Sequence, residues 1–234
     1  MATVKITWLG HSTFTVELSD GTVLLIDPWL EGNPAHPKGY QLERVDLMLI
    51  THGHFDHIAD AVAVAKRFGP VTVAIYEICQ WLETKGVKNL APMNKGGSQA
   101  QKGVTITMTH ALHSSMIQDD GKFICAGEAA GFVVRLPDGR AFYHAGDTAV
   151  FSDMRLIGEL YKPELAMLPI GDLFTMDPKE AALACKLLKP SRVIPTHYGT
   201  FPPLTGTPAQ LKKLLRDQPE TQVTVLEAGV PFEW

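Results

Sequence analysis

Apolar and polar positions alternate with a two-residue period near the start of the chain. Residues 4–9 (VKITWL) and 14–18 (FTVEL) read as half-buried strands flanking a turn at Gly10-His11-Ser12. Residues 22–28 (TVLLIDP) follow an Asp20-Gly21 turn, which predicts a hairpin. Residues 46–51 (DLMLIT) and 165–170 (LAMLPI) are continuous apolar runs, the pattern of strands buried on both faces. Further strands are predicted at 71–76, 104–109, 130–136, 141–146, 192–198 and 222–227, the pair at 130–146 being joined by a PDGR turn. Helical stretches fall at 58–68, 76–86, 150–160, 176–190 and 207–217. The clearest is 176–190: Asp177 is placed to cap it, Pro178 opens it, Glu180 completes a capping box, and Pro190 stops it.

Strands interleaved with helices, and a hairpin, buried strand and helix recurring loosely in each half, predict mixed sheets covered by helices in one α/β domain over residues 1–234. Composition agrees: 45% hydrophobic and 20% charged residues supply an ordinary globular core. The formal net charge of −4, with no run of Lys or Arg, gives no general attraction to nucleic acid or to an anionic membrane. Cys79, Cys125 and Cys185 are far apart and form no CxxC, so buried reduced thiols are expected. The first residues, MATVKITWLG, lack the basic-then-apolar order of a signal peptide, and no apolar run approaches the ~20 residues of a spanning helix. The expectation is a soluble, cytoplasmic protein.

One segment departs from ordinary composition. Residues 51–60, THGHFDHIAD, hold three of the nine histidines within six positions, with an aspartate among them. His52 and His54 are two apart after a buried strand, so an extended chain points both side chains the same way. Asp56 and His57 lie on the turn into the next helix. Four donors thus meet at the carboxyl end of a strand, a usual place for a site in an α/β protein. Neutral imidazole and carboxylate suit zinc, iron or manganese.

HGHFDH resembles the hallmark motif of the metallo-β-lactamase fold hydrolases, and other segments resemble that superfamily in the right order: LIDPWL, HALHSS, YHAGDT and IPTHYGTF. WLGHSTF, MNKGG, GDTAVFSDM and PIGDLFTMDPKEA are similar to a branch of small bacterial and archaeal metal-dependent hydrolases near the ascorbate-6-phosphate lactonases. The resemblance implies a four-layer αββα sandwich of two mixed sheets flanked by helices. It implies two divalent ions, zinc first, with manganese, nickel or iron as alternatives. His52, His54 and His113 would hold one, Asp56, His57 and His197 the other, and Asp147 would bridge them. A bridging hydroxide would be the nucleophile, with Asp56 taking or relaying a proton.

Around that set, Asp27 in LIDP is expected to hydrogen-bond and orient the ligand loop. His144, on a strand near Asp147, reads as a packed histidine. Asp172 in PIGDLFT is a candidate for substrate contact or ligand support, and so is His11 in its tight turn. Ser114, Ser115 and the loop through Glu128 are candidates for a substrate wall, and NKGG (94–97) for an anion cradle. His110 falls in phase with Val104, Ile106 and Met108, so it is expected to cap the buried face of its strand. His113, out of that phase and beside Ser114 and Ser115, is then the ligand.

The leading function is hydrolysis of an ester, lactone or phosphodiester bond in a small molecule. The expectation includes no nucleic-acid or membrane partner and allows a homo-oligomer. A nuclease would use the same ions, but the acidic chain lacks a basic arm for RNA. A di-iron redox protein on this fold would favour a ligand set richer in carboxylate. A silent interaction domain would be expected to have lost ligands.

Overall fold

The computed structural model describes residues 3–234. One seven-stranded sheet contains β1 (Lys5–Trp8), β2 (Phe14–Glu17), β3 (Val23–Ile26), β4 (Leu47–Leu49), β5 (Val71–Ile75) and β6 (Leu90–Met93) in that order, with the terminal strand β16 (Phe232–Glu233) beside β1. The second sheet runs from β7 (Ser98–Gln101) through β8 (Val104–His110), β11 (Ala130–Arg135), β12 (Ala141–His144), β13 (Leu165–Pro169) and β14 (Arg192–Thr196) to β15 (Gln222–Val223). Between β8 and β11 the chain makes a separate ribbon, β9 (Met116–Asp119) and β10 (Lys122–Cys125). The helices are α1 (Phe55–Ile58), α2 (Ala61–Phe68), α3 (Tyr76–Thr84), α4 (Met154–Tyr161), α5 (Pro178–Leu188) and α6 (Pro208–Leu214).

The two halves repeat one scheme. In the first sheet β1, β2 and β3 pair antiparallel, and β3 to β6 pair parallel. In the second, β7, β8, β11 and β12 pair antiparallel, and β12 to β15 pair parallel. The strand period sorts side chains between layers. Phe132, Val134, Phe142, Leu165, Met167 and Ile194 join Ile6, Phe14 and Leu24 in the core between the sheets. Val133, Tyr143, Ala166, Leu168 and Val193, one residue out of phase, pack with Met154, Ala181, Cys185 and Leu211 of the covering helices. Both outcomes follow from alternate side chains pointing to opposite faces.

Several strands stop earlier than their hydrophobic pattern. β3 ends at Ile26 because Asp27 has φ 48, and β14 ends at Thr196 because His197 has φ 54. β12 ends at His144, just before Gly146 at φ 62. Left-handed backbone breaks the ladder where the chain turns into the cleft, and non-glycine residues hold it only when their surroundings enforce it. The expected helix at 58–68 is two helices, α1 and α2, which places Asp56 and His57 on a turn of helix of their own.

The strands without an earlier signal are peripheral. β6 (LAPM) carries Pro92 on a sheet edge, where a missing N–H is tolerated. β7 (SQAQ) is polar apart from Ala100, and β9, β10 and β16 lie in a ribbon or at an edge. Cys79 and Cys185 are buried free thiols, but Cys125 is exposed, contrary to expectation, because it ends a ribbon that no second layer covers. No helix among the described residues is long and apolar enough to cross a membrane.

The capping box on α5 is complete: Glu180 N–H donates to Asp177 Oδ1 at 2.7 Å, and the Glu180 carboxylate accepts from Asp177 N–H. Asp177→Ala is expected to cost ~1 kcal/mol of unfolding free energy, read from urea denaturation, while Asp177→Ser stays near the parent.

Candidate metal centre

The site is built from the ends of β3, β4, β12 and β14, where the strand-ending residues converge. β4 leads into Thr51, His52 and His54, and α1 then presents Asp56 and His57. His54 is still extended (φ −70, ψ 149), so it follows His52 into the same space, and His52 Nε2 lies 3.1 Å from His54 Nδ1. Gly53 between them has no room for a side chain. A Cβ there would lie 2.6 Å from Ala126 Cβ and 2.8 Å from Ile117 Cγ1 of the β9–β10 ribbon.

Asp27 orients this segment. Its Oδ1 accepts the Thr51 N–H at 2.8 Å, and its Oδ2 accepts the Thr51 hydroxyl at 2.7 Å and the His57 Nδ1–H at 2.8 Å. Because the Thr51 hydroxyl donates to Asp27, it must accept from His52 Nδ1, 3.0 Å away. One carboxylate therefore fixes the tautomer of His57 directly and of His52 through Thr51. In the neutral form both rings are left with an Nε2 lone pair turned to the cleft.

Asp147 stands at the centre of the cluster. Its Oδ2 is 3.0 Å from His197 Nε2, 3.3 Å from His57 Nε2, 3.7 Å from His113 Nε2 and 3.9 Å from His52 Nε2. The turn that presents it needs glycine, since Gly146 has φ 62 and a Cβ there would come within 2.7 Å of Ala130 O. His113 Nε2 is 3.3 Å from His54 Nδ1. His11 is fully buried, with Nε2 3.0 Å from Asp56 Oδ2 and Nδ1 2.9 Å from Thr200 Oγ1.

These side chains form three overlapping groups able to hold a cation: His52, His54 and His113; His52, His57 and Asp147; and His11, Asp56, His57 and His197. The donor chemistry fits a metal. His57 Nε2 and Asp147 Oδ1 are buried without a hydrogen-bond partner, and His54 Nδ1 has the ring nitrogens of both His52 and His113 close to it, at 3.1 and 3.3 Å. An electrophile satisfies such atoms where no proton donor is present.

For His52, His54 and His113 the electrostatics point the same way. Burial holds His52 well below its ordinary pKa, with neighbouring histidines adding to it, and burial also lowers His54 and His113. Neutral imidazole is the form that binds metal. Burial would lower His57 too, but Asp147 and Asp27 outweigh it and raise the ring well above its usual value. Burial opposes ionisation of Asp147, yet His197 and His57 hold it well below the carboxylate range. Asp56 is likewise opposed by burial but brought down to about 2 by its hydrogen bond to His11 and by His57. Burial pushes His11 down to about 4.

The remaining candidates separate. His144 is a packed histidine: Gly146 N–H donates to its Nδ1 at 3.1 Å, and its Nε2 meets Ser12 O at 3.3 Å, joining the two sheets behind the site. Asp172 is outside the cluster. It is exposed at φ 71, and its carboxylate accepts from Leu173 N–H at 2.7 Å and Thr205 Oγ1–H at 3.4 Å, so it braces its own loop. His110 keeps the phase of Val104, Ile106 and Met108 but is exposed, contrary to expectation, with the Phe151 ring edge-on to it at 5.2 Å. It lies 3.2 Å from Lys95 Nζ, which also pairs with Glu128. The NKGG loop is no anion cradle, since Gly96 N–H and Gly97 N–H are spent on Met108 O and Asn94 O. Ser114 Oγ is 3.4 Å from His54 Nε2, and Ser115 Oγ accepts the Gly53 N–H at 3.2 Å, so this wall does stand beside the site. Thr51 and Thr200 escaped the sequence reading. Each directly adjoins a motif residue or sits two or three positions away, but a lone threonine carries no spacing signal.

Comparison with known proteins agrees with this architecture. Residues 22–198 match the family model described as a beta-lactamase superfamily domain. A UPF0173 metal-dependent hydrolase from Solibacter usitatus is 60% identical over 231 residues, covering 99% of this chain and 100% of the relative. A UPF0173 metal-dependent hydrolase from Methanopyrus kandleri is 48% identical, covering 98% of this chain and 100% of the relative. The solved structure of Igni18, a metallo hydrolase from Ignicoccus hospitalis, has a TM-score of 0.87 at 40% identity, over 99% of this chain and 98% of that one. The chain belongs to the beta-lactamase superfamily, among its UPF0173 metal-dependent hydrolases, and is an enzyme of that class.

Asp27→Ala is expected to weaken zinc retention roughly 10–100-fold, read by competition with a chromophoric chelator. Retention equal to the parent's would show that Asp27 does not orient the donors.

Proposed function

We propose that the chain hydrolyses an ester, lactone or phosphodiester bond in a small molecule, at a pair of divalent ions held in this cleft. The observation that carries the reading is the central carboxylate: one oxygen of Asp147 lies within 4 Å of an imidazole nitrogen from each of His52, His57, His113 and His197. In this reading His52, His54 and His113 hold one ion, Asp56, His57 and His197 the other, and Asp147 lies between. Two such ions, zinc by preference for imidazole, supply Lewis acidity toward a carbonyl or phosphoryl oxygen and acidify water at neutral pH.

The chain's own groups do the rest. Asp27 keeps the His57 proton on Nδ1 and so keeps Nε2 free as a donor. Asp147, His52, His57 and His197 are nearly closed to solvent, whereas the Asp56 side chain keeps 13% exposure. Asp56 is therefore the carboxylate placed to accept or relay a proton. Phe55, 61% exposed, directly follows His54, and Leu112, 52% exposed, directly precedes His113. Apolar lips beside the donors suit a small substrate with an apolar portion.

The nuclease alternative wants a basic track there, and a chain of net charge −4 with apolar lips does not favour it. Salt-dependent binding of tRNA at physiological ionic strength would favour it. The di-iron alternative is disfavoured by a first group made of imidazole alone. The free thiols accord with a cytoplasmic setting.

Metal analysis of the zinc-loaded chain should give two ions per chain, and Asp147→Ala should release at least one. A panel of lactones, esters and phosphodiesters should show turnover that a chelator removes and zinc restores. A fully loaded chain that takes up a single ion would overturn the two-ion reading.

A further inference from the structure

His11 is a buried imidazole within the donor cluster that the hydrolytic scheme does not use. Its backbone is held in the left-handed region at φ 56, and its carbonyl accepts both the Trp8 indole N–H at 2.9 Å and the His197 N–H at 3.1 Å. The ring is wedged against His197, centroids 3.9 Å apart, with Trp29 and Phe201 edge-on at 5.2 and 5.7 Å. Such enclosure leaves the ring little freedom to turn. Strain of this kind is retained where the surroundings enforce it, and it clusters at functional sites.

Both ring nitrogens have partners, and the partners settle where the proton sits. The Asp56 carboxylate can only accept, so His11 Nε2, 3.0 Å from Oδ2, carries the hydrogen. Nδ1 is then an acceptor, and the Thr200 hydroxyl donates to it across 2.9 Å. The competing acceptor for that hydroxyl, Tyr198 O, is farther away at 3.4 Å. The opposite tautomer would set a bare nitrogen against a carboxylate oxygen.

We propose that His11 is a positioning residue: its Nε2–H, with the tautomer fixed by Thr200, holds the Asp56 carboxylate turned inward toward His57 and His197. The proposal rests on the reading that Asp56 belongs to the second donor group. Asp56 Oδ2 lies 4.0 Å from His57 Nε2 and 3.8 Å from His197 Nε2, too far for either ring to hold it by a hydrogen bond. The residue sits on a helix of four residues at the solvent edge. Among the described contacts, His11 is the one that directs the carboxylate inward. The competing role, His11 as a fourth ligand through Nε2, needs the other tautomer, with Nδ1–H donated to Thr200 Oγ1.

The tautomer is measurable without turnover. Long-range proton–nitrogen correlation spectra of the full chain with 15N-labelled histidine, metal-free and zinc-loaded, report each ring, and His11 is assigned by its absence in His11→Gln. The expected result is a protonated Nε2 and an unprotonated Nδ1 in both samples, with Thr200→Val producing a mixture in the metal-free one. A protonated Nδ1 with Nε2 shifted by zinc would overturn positioning in favour of ligation. In zinc titrations, His11→Ala should weaken the second equivalent roughly 10–100-fold. His11→Gln, whose amide N–H can still reach Asp56, should recover most of the loss, and equal losses in the two variants would overturn the proposal. Circular dichroism keeps misfolded variants out of the comparison. A parent chain that binds one ion would sink the two-ion reading, yet the metal-free tautomer would still decide the role of His11.

Discussion

The Asp27 carboxylate is the constraint on which the site depends. It is fully buried and sits at φ 48, where a residue with a side chain is held only by its contacts. Those contacts run to the next strand: the Thr51 N–H and hydroxyl, and the Nδ1–H of His57. Through them one residue stops β3, pins the segment after β4 and sets two imidazole tautomers. The Thr13 hydroxyl, donating to Asp27 O at 2.7 Å, ties the same point to the β1–β2 turn that carries His11. His144 adds a second tie between that turn and the Gly146-Asp147 turn.

The cluster is costly for the protein alone. Burying carboxylates and imidazoles together removes their hydration, and groups left without a partner lose the full desolvation free energy. Asp147 compensates by bringing its oxygen close to several rings, which also accounts for its own depressed pKa and the raised one of His57. Orphaned atoms remain after that compensation. The framework that tolerates them is the apolar filling between the sheets and under the outer helices, packed densely enough to keep strand ends in register. A rigid scaffold with donors on strand ends holds tighter geometry than loops do.

Substrate choice lies elsewhere. The donors come from the ends of the sheet strands, while the lips come from Phe55, Leu112 and the β9–β10 ribbon, whose Asp119 is tied to Trp81 of α3 and to Lys85 just after it. None of these three supplies a donor, and variation around a fixed site is how one fold supports many hydrolytic specificities.

The hydrophobic period by itself determined the strands that matter to the core, because burial of alternate or continuous apolar side chains leaves a pattern in the chain, and capping residues marked the helix read at 176–190 and found at 178–188. The crowding of His52, His54, Asp56 and His57 was also legible, since local spacing alone carries it. The polar edge strand SQAQ, the strand LAPM with its proline, and the β9–β10 ribbon left little pattern, being stabilised by partners rather than by burial of their own faces. Only the tertiary structure decided that His11, from the first turn, meets Asp56 and Thr200 across the cleft, and that Asp172 faces solvent. It also decided that His110 is exposed despite its in-phase position. Each of these depends on which distant backbone arrives beside the residue, and the sheet order, rather than any local period, fixes that.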